Sequence, residues 1–250
     1  MRAFRGANLG VLQGPVAQLV ARLVRNEKVR GSIPLRSTGY PQVMRGLAWI
    51  VFVPLQVLWL PISIVGSAVV GIRQLFTSRR LGVSQTAVEI INGCWAMDIF
   101  GVANQSAARQ LARALPNTST VALGLVLFPL WVARQIAGAP FIYPNPHPQN
   151  ALAGLNFVPW RTELIDSLLD GYSTIHQYVI LGSGLDTRGY GEPSVLAGRV
   201  WEVDTGSNIH FKKSHIAKAT LQSDAVTYLP ADFSDDSWPD SLRASGFDSN

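Results

Sequence analysis

Tyr178-Val-Ile-Leu-Gly-Ser-Gly-Leu-Asp-Thr-Arg188 decides how this chain is read. Tyr178 to Leu181 is a short apolar run rich in β-formers and closed by glycine, the pattern of a buried parallel strand. Gly182 and Gly184 let the backbone turn tightly and leave room for a ligand against the main chain. Asp186 and Thr187 follow, residue types suited to opening a helix. Strand, glycine turn and helix start together predict a cradle for a nucleotide-type group.

Outward from this stretch, strand and helix patterns alternate. Before it, Arg161 to Leu169 is amphipathic, with Leu164, Ile165, Leu168 and Leu169 on one face and Glu163, Asp166 and Asp170 on the other. After it, Arg199-Val-Trp-Glu-Val203 reads as a second strand, and Asn208 to Leu221 as a helix carrying Lys212, Lys213 and Lys218. Ala225 to Leu229 reads as a third strand, and Ser237 to Ser245 as a short helix. Such alternation predicts a parallel α/β sheet with right-handed crossovers. The order of motifs places three features at successive strand ends, where open α/β sheets bind ligands. These are Gly182-Ser183-Gly184, the acids Glu202 and Asp204, and Asp232 with Phe233.

The spacing narrows the ligand. An acid ending the second strand about 20 residues after the glycines suits ribose hydroxyls. Asp232 can accept from an exocyclic amine, and Phe233 can pack on an adenine face. A dinucleotide fingerprint wants a third glycine where Thr187 stands, and no Gly-Lys-Ser/Thr loop is present. Asp186 after the turn repels phosphate but suits a cationic or amino-bearing ligand. S-adenosylmethionine, with its adenine, ribose, sulfonium and amino acid end, fits. Tight NADH binding would favour the rival reading, a nicotinamide oxidoreductase.

The stretch from Val179 to Arg188, then Glu202-Val-Asp204, then Asp232-Phe233, resembles the S-adenosylmethionine-dependent methyltransferases of the leucine carboxyl methyltransferase-like group. That group includes O-methyltransferases linked to polyketide biosynthesis. The resemblance covers about residues 157–248 and extends weakly to Ser84-Gln-Thr-Ala87. It implies that Gly182 and Gly184 contact the cofactor, that Asp204 holds the ribose and that Asp232 and Phe233 hold the adenine; Ser183 and Asp186, as residues of the same turn, are expected at the cofactor with them. It also implies that Arg161 reaches the methionine carboxylate. Two positions depart from the group's pattern: Gly191 follows Tyr190 where arginine is usual, and Gly206 stands where proline is common. The group's next strand, ending in Glu-Gly, has no counterpart before Asn250, so the sequence reads as the first half of the domain.

Upstream, Gly46 to Ile72 contains 27 residues with no charge, Trp49, Phe52, Val57, Leu58, Ile62 and Ile64 among them. About 20 apolar residues span a bilayer, and Pro54 and Pro61 are tolerated in membrane helices. Arg73, Arg79 and Arg80 follow the run, which places the C-terminal portion in the cytosol by the positive-inside rule. A second apolar run, Val121 to Ala133, is short for a span and predicts a packed or interfacial helix. Thr86-Ala-Val-Glu89 has the form of a capping box opening a helix to about Phe100, and Asn104 caps another to Leu115. Residues 138–150, with four prolines, read as a linker.

The net charge of +5 is concentrated in residues 1–43, which carry seven basic residues against Glu27. A nucleic-acid partner would rest on that leader alone, and none is expected. Gly14 to Pro34 resembles a reading frame through a tRNA gene, so Met44 is the expected start. The lone Cys94 has no Cys or His at metal spacing and reads as a small buried hydrophobe. His176, His210 and His215 read as surface or helix residues without a catalytic partner. No metal and no catalytic base is assigned.

The expected fold is therefore α/β: three strands of a Rossmann-like class I methyltransferase sheet, preceded by a helical region with a transmembrane helix. The expected domains are a basic leader over 1–43, a membrane segment with its basic flank over 44–80, a helical accessory region and linker over 81–150, and half of the methyltransferase domain over 151–250. The expected function is membrane-anchored O-methyl transfer to a carboxylate or hydroxyl of a small-molecule or protein acceptor. The alternative is a silent fragment that binds a membrane or a partner.

Overall fold

The computed structural model describes residues 42–147, 154–191, 196, 198–221, 224–235 and 237–248. The leader lies outside the described residues up to residue 41, as do the last three residues of the linker at 148–150.

Seven helices and three strands are described. They are α1 (Gln42–Ile72), α2 (Gln85–Ile99), α3 (Ser106–Ala114), α4 (Thr120–Ala137), α5 (Phe157–Leu169), β1 (Gln177–Leu181), β2 (Arg199–Asp204), α6 (Gly206–Lys218), β3 (Val226–Pro230) and α7 (Trp238–Ala244). A π-helical turn at Arg73–Thr77 and a last α-turn at Ser78–Leu81 continue α1. Pro54 and Pro61 lie inside α1 without ending it.

The sheet is parallel, in the order β1-β2-β3, with Leu181 beside Val203 and Asp204 beside Pro230. The strand expectations hold to within a residue or so. β2 is the middle strand, and it is buried from Val200 to Asp204. Alternate residues of a strand share a face, so Glu202 and Asp204 point the same way. Among the described residues β1 pairs on one side only, and Leu181 at its end is 52% exposed.

The main core joins α2 and α3 to the sheet layer. Val88, Ile91, Trp95 and Leu111 cluster with Leu185, Tyr190, Phe211 and Ile216. α5 lies against α2 where Gly93 leaves room for Val158. α4 is packed, as its short apolar run implied, but it reaches 18 residues. One side of α4 meets α2, where Gly124 faces the Trp95 ring. Its other side meets α1, where Ala48 packs with Ala133 and Ala137 and Trp59 donates its indole N–H to the Leu125 carbonyl at 2.8 Å. α1 and α4 run antiparallel, and at Gly66 a side chain would come within 2.9 Å of Val126.

Two local expectations are corrected. Thr86 and Glu89 do not form a capping box: α2 starts at Gln85, and the Glu89 carboxylate accepts from the Gln74 amide at 3.1 Å. The residues after the glycine turn form only a 3-10 turn at Arg188–Tyr190 before Gly191 adopts positive φ. The Gln85 start of α2 also moves the helix opening one residue ahead of Thr86, while His215 lies on a helix, as read, on the buried side of α6, its ring tilted against Phe211 with Nδ1 2.8 Å from the Phe211 carbonyl oxygen.

Candidate functional site

The glycine turn is built as its residues require. Gly182 and Gly184 have φ of 63° and 44°, values that side chains disfavour. The amides of Gly182 and Ser183 both donate to the Val203 carbonyl, at 2.8 and 3.2 Å, so the turn folds back over the end of β2. There the Gly184 amide donates to Asp204 Oδ2 at 2.6 Å. Asp204 Oδ1 accepts from the Thr205 amide at 2.7 Å and from Asn208 Nδ2 at 2.8 Å. Three donors thus hold one buried carboxylate, and the expected ribose acid also fastens the turn. A carboxylate offers about four acceptor sites, which leaves one open.

Asp232 and Phe233 reach the same edge. The Ala231 amide donates to the Asp204 carbonyl at 2.8 Å and ties the end of β3 to that of β2. Asp232 Oδ1 accepts from the Ser234 amide at 2.9 Å and its hydroxyl at 2.7 Å. The amide bond, with the hydroxyl adding to it, holds the Asp232 carboxyl below the usual carboxylate range. Phe233 is exposed and meets Trp238 edge-on at 5.7 Å. A free aromatic face beside an ionised acid suits a purine.

Asp186 has a partner that sequence reasoning did not give it. Its Oδ2 pairs with Arg188 Nη1 at 2.7 Å, and Arg188 also pairs with Asp166 Oδ1 on α5 at 2.8 Å. Burial opposes the charge of Arg188, yet Asp186 and Asp166 together hold its pKa above the ordinary value. Burial raises the Asp166 carboxyl, against the pull of Arg188. Arg161 stands on α5 next to Thr162, whose carbonyl accepts from Arg188 Nη2 at 3.4 Å. Among the described residues Arg161 pairs with no carboxylate. The site edge therefore holds both signs of charge, as the amino and carboxylate groups of an amino acid require.

Beneath the turn lies a second arrangement. Glu202 is fully buried, and its Oε2 meets Lys212 Nζ at 2.7 Å. Lys212 Nζ also donates to the Asp186 carbonyl at 2.5 Å. Tyr190 OH lies 3.4 Å from Glu202 Oε2 and 2.5 Å from Tyr228 OH. Burial pushes the Glu202 carboxyl up while Lys212 pulls it down, and burial with the Glu202 charge pushes the Tyr190 phenol up. Glu202, read from sequence as half of an acidic pair, is thus internal to the fold. Sequence reasoning grouped Lys212 with Lys213 and Lys218 and missed this role; its place three residues after Ile209 and four before Ile216 is the signal that could have found it.

Two features fit the edge to a small adenosine-bearing group. Ser183 Oγ is buried and has no hydrogen-bond partner among the described residues. A side chain at Gly182 would meet no atom within 4 Å, so space lies open above the turn.

The leucine carboxyl methyltransferase family model matches residues 127–250, from the middle of α4 onward. A candidate S-adenosyl-L-methionine-dependent methyltransferase of Mycobacterium tuberculosis is 30% identical over 172 residues, covering 68% of this chain and 52% of that protein. A similarly described protein of Mycobacterium avium is 33% identical over 134 residues, covering 51% of this chain and 42% of its own length. Another, from Mycobacterium bovis, is 43% identical over 91 residues, covering 35% of this chain and 29% of its own. The chain spans about half the length of the first of these relatives. From residue 127 onward the chain belongs to the leucine carboxyl methyltransferase family, a family that uses S-adenosylmethionine.

Proposed function

We propose that this chain binds S-adenosylmethionine along the carboxyl ends of β1, β2 and β3 as part of an O-methyltransferase, held at a membrane by α1. The observation that carries the reading is the clamp of Asp204 on Gly184, which presents the turn, the ribose acid and the Asp232-Phe233 pair on one edge. Bound there, S-adenosylmethionine supplies a methyl group activated by a sulfonium for attack by an oxygen nucleophile.

The protein's residues bind and orient. Asp204 offers its remaining acceptor site to a ribose hydroxyl. Asp232 accepts from the exocyclic amine while Phe233 covers the base. Arg161 takes the amino acid carboxylate, and Asp186, steadied by Arg188, faces the amino group. Positioning and water exclusion supply most of the rate in such a transfer. A carboxylate acceptor needs no base from these elements, whereas a hydroxyl needs one. The membrane part rests on α1, which is long and apolar enough to cross a bilayer and is mostly uncovered.

Calorimetric titration of the full chain with S-adenosylmethionine tests the cofactor reading. We expect micromolar binding that Asp204→Ala weakens by about tenfold or more, because three donors lose their acceptor. Equal affinity in wild type and variant contradicts the assignment.

A further inference from the structure

We infer that α1 lies flat in the interface of an anionic phospholipid bilayer, with the rest of the protein on one side of it. This orientation rests on the membrane association proposed above and goes beyond it. The uncovered surface is large and continuous. The covered stripe of α1 runs through Ala48, Phe52, Gln56, Trp59, Ser63 and Gly66 and faces α4. Elsewhere the helix shows Ile50 at 70%, Leu58 at 78%, Ile64 at 60% and, past its end, Phe76 at 67% exposure. Such a surface is far beyond the scattered apolar residues of an ordinary protein exterior. A groove of about 470 Å³ opens along it, lined by Pro61, Val65, Val69, Val121 and Leu125, and suits part of an acyl chain.

The occupant is set by charge. Arg45 stands at one end of the uncharged run, and Arg73, Arg79 and Arg80 stand at the other. All four are exposed. Arginines at both ends of an apolar face match phosphate headgroups along the plane of a membrane, whereas a protein partner's apolar patch asks for no such rim.

The orientation is set by the tethers. At its C-terminal end α1 is tied to the domain by Arg73 Nη1 on the Thr118 carbonyl at 3.0 Å and by Asn117 Nδ2 on Ser78 Oγ at 3.1 Å. At the other end Trp49 and Phe52 pack on Phe141, at 4.8 and 5.6 Å. Two residues later Tyr143 joins the main core, and Asn156 Nδ2 donates to the Ile142 carbonyl at 3.0 Å. Both ends of α1 therefore belong to one body, with α4 between it and α2 along its length. A helix crossing the bilayer, as the flanking arginines alone imply, would take with it α4, which is itself long and apolar enough to cross, and would draw α2, packed on α4 and carrying Glu89 and Asp98, to the depth of the hydrocarbon.

The test is flotation of the full chain added to preformed vesicles, either neutral phosphatidylcholine or phosphatidylcholine with phosphatidylglycerol. Single-cysteine reporters Val43→Cys and Leu81→Cys, each in a Cys94→Ser background, are then probed with an impermeant maleimide. We expect binding to anionic vesicles that is stronger than to neutral ones by about tenfold or more, with both reporters labelled from outside. The paired substitution Ile50→Glu and Leu58→Glu touches only the uncovered face, and should abolish flotation while leaving the circular dichroism spectrum and melting temperature unchanged. Protection of Val43→Cys until detergent is added means that α1 crosses, and overturns the orientation while keeping membrane association. Equal binding to neutral vesicles overturns the anionic headgroup. Absence of flotation, with or without a stable dimer in solution, overturns membrane association itself.

Discussion

Asp204 illustrates what single residues disclose. Its place at the end of a strand, about 20 residues past two glycines, was readable from sequence. Its second task of anchoring Gly184 was not, because that bond depends on how far the turn folds back. Asp186 shows the converse: a free acid in the sequence, it is paired with Arg188, a neighbour two residues away whose reach only the folded turn fixes. Cys94 was read as buried, and it is; its thiol lies 3.8 Å from Thr162 Oγ1. Burial pushes that thiol up to about 11. The thiolate is the reactive form, so Cys94 should resist iodoacetamide at pH 8 in the native protein and react fully once the protein is unfolded. Rapid native modification at Cys94, located by mass spectrometry, would contradict this packing.

At the scale of elements, the strands and α6 were legible because apolar runs and turn residues bounded them. The contact between α6 and β2 was not legible, because the three lysines of α6 look alike in the sequence and only the fold turns Lys212 toward Glu202. Lys212→Met leaves Glu202 buried without its cation and should cost about 3–5 kcal/mol, whereas Glu202→Leu with Lys212→Leu should recover most of that loss. The pH dependence has a definite sign. Burial already raises the Glu202 carboxyl in the folded state, and loss of Lys212 raises it further. A group with a raised folded pKa stabilises most when protonated, so Lys212→Met should lose stability as pH rises from 5 to 8, by at most about 1.4 kcal/mol per pH unit. Urea melts across that range check it, and a flat profile would place the charge elsewhere. The α1–α4 contact was not legible at all, since nothing in an uncharged run says which residues are small for a neighbour. Gly66→Val forces a side chain against Val126 and the Ala122 carbonyl. It should lower stability by about 1–3 kcal/mol by thermal melting while leaving α2 and the sheet intact.

At the scale of the molecule, the sequence conveyed the α/β class and a parallel sheet because strand and helix patterns alternate, and the structure supplied the order β1-β2-β3. It also presented α1 as a free-standing membrane anchor. The fold instead lays α1 along the domain through α4, because Ala48, Gly66, Ala133 and Ala137 let the two helices approach. The core likewise joins α2 and α3 to the sheet, although the chain between them passes through α4 and a proline-rich stretch. Hydrophobic periodicity marks the faces of elements, but not which faces will meet. The central claim concerns the edge where β1, β2 and β3 end. The most direct measurement is the amide spectrum of glycine-labelled full chain during titration with S-adenosylmethionine. The Gly182 and Gly184 amides should shift together and saturably, while Gly66, in the α1–α4 contact, stays still. Saturable binding that leaves Gly182 and Gly184 unmoved would place the cofactor elsewhere and contradict the account.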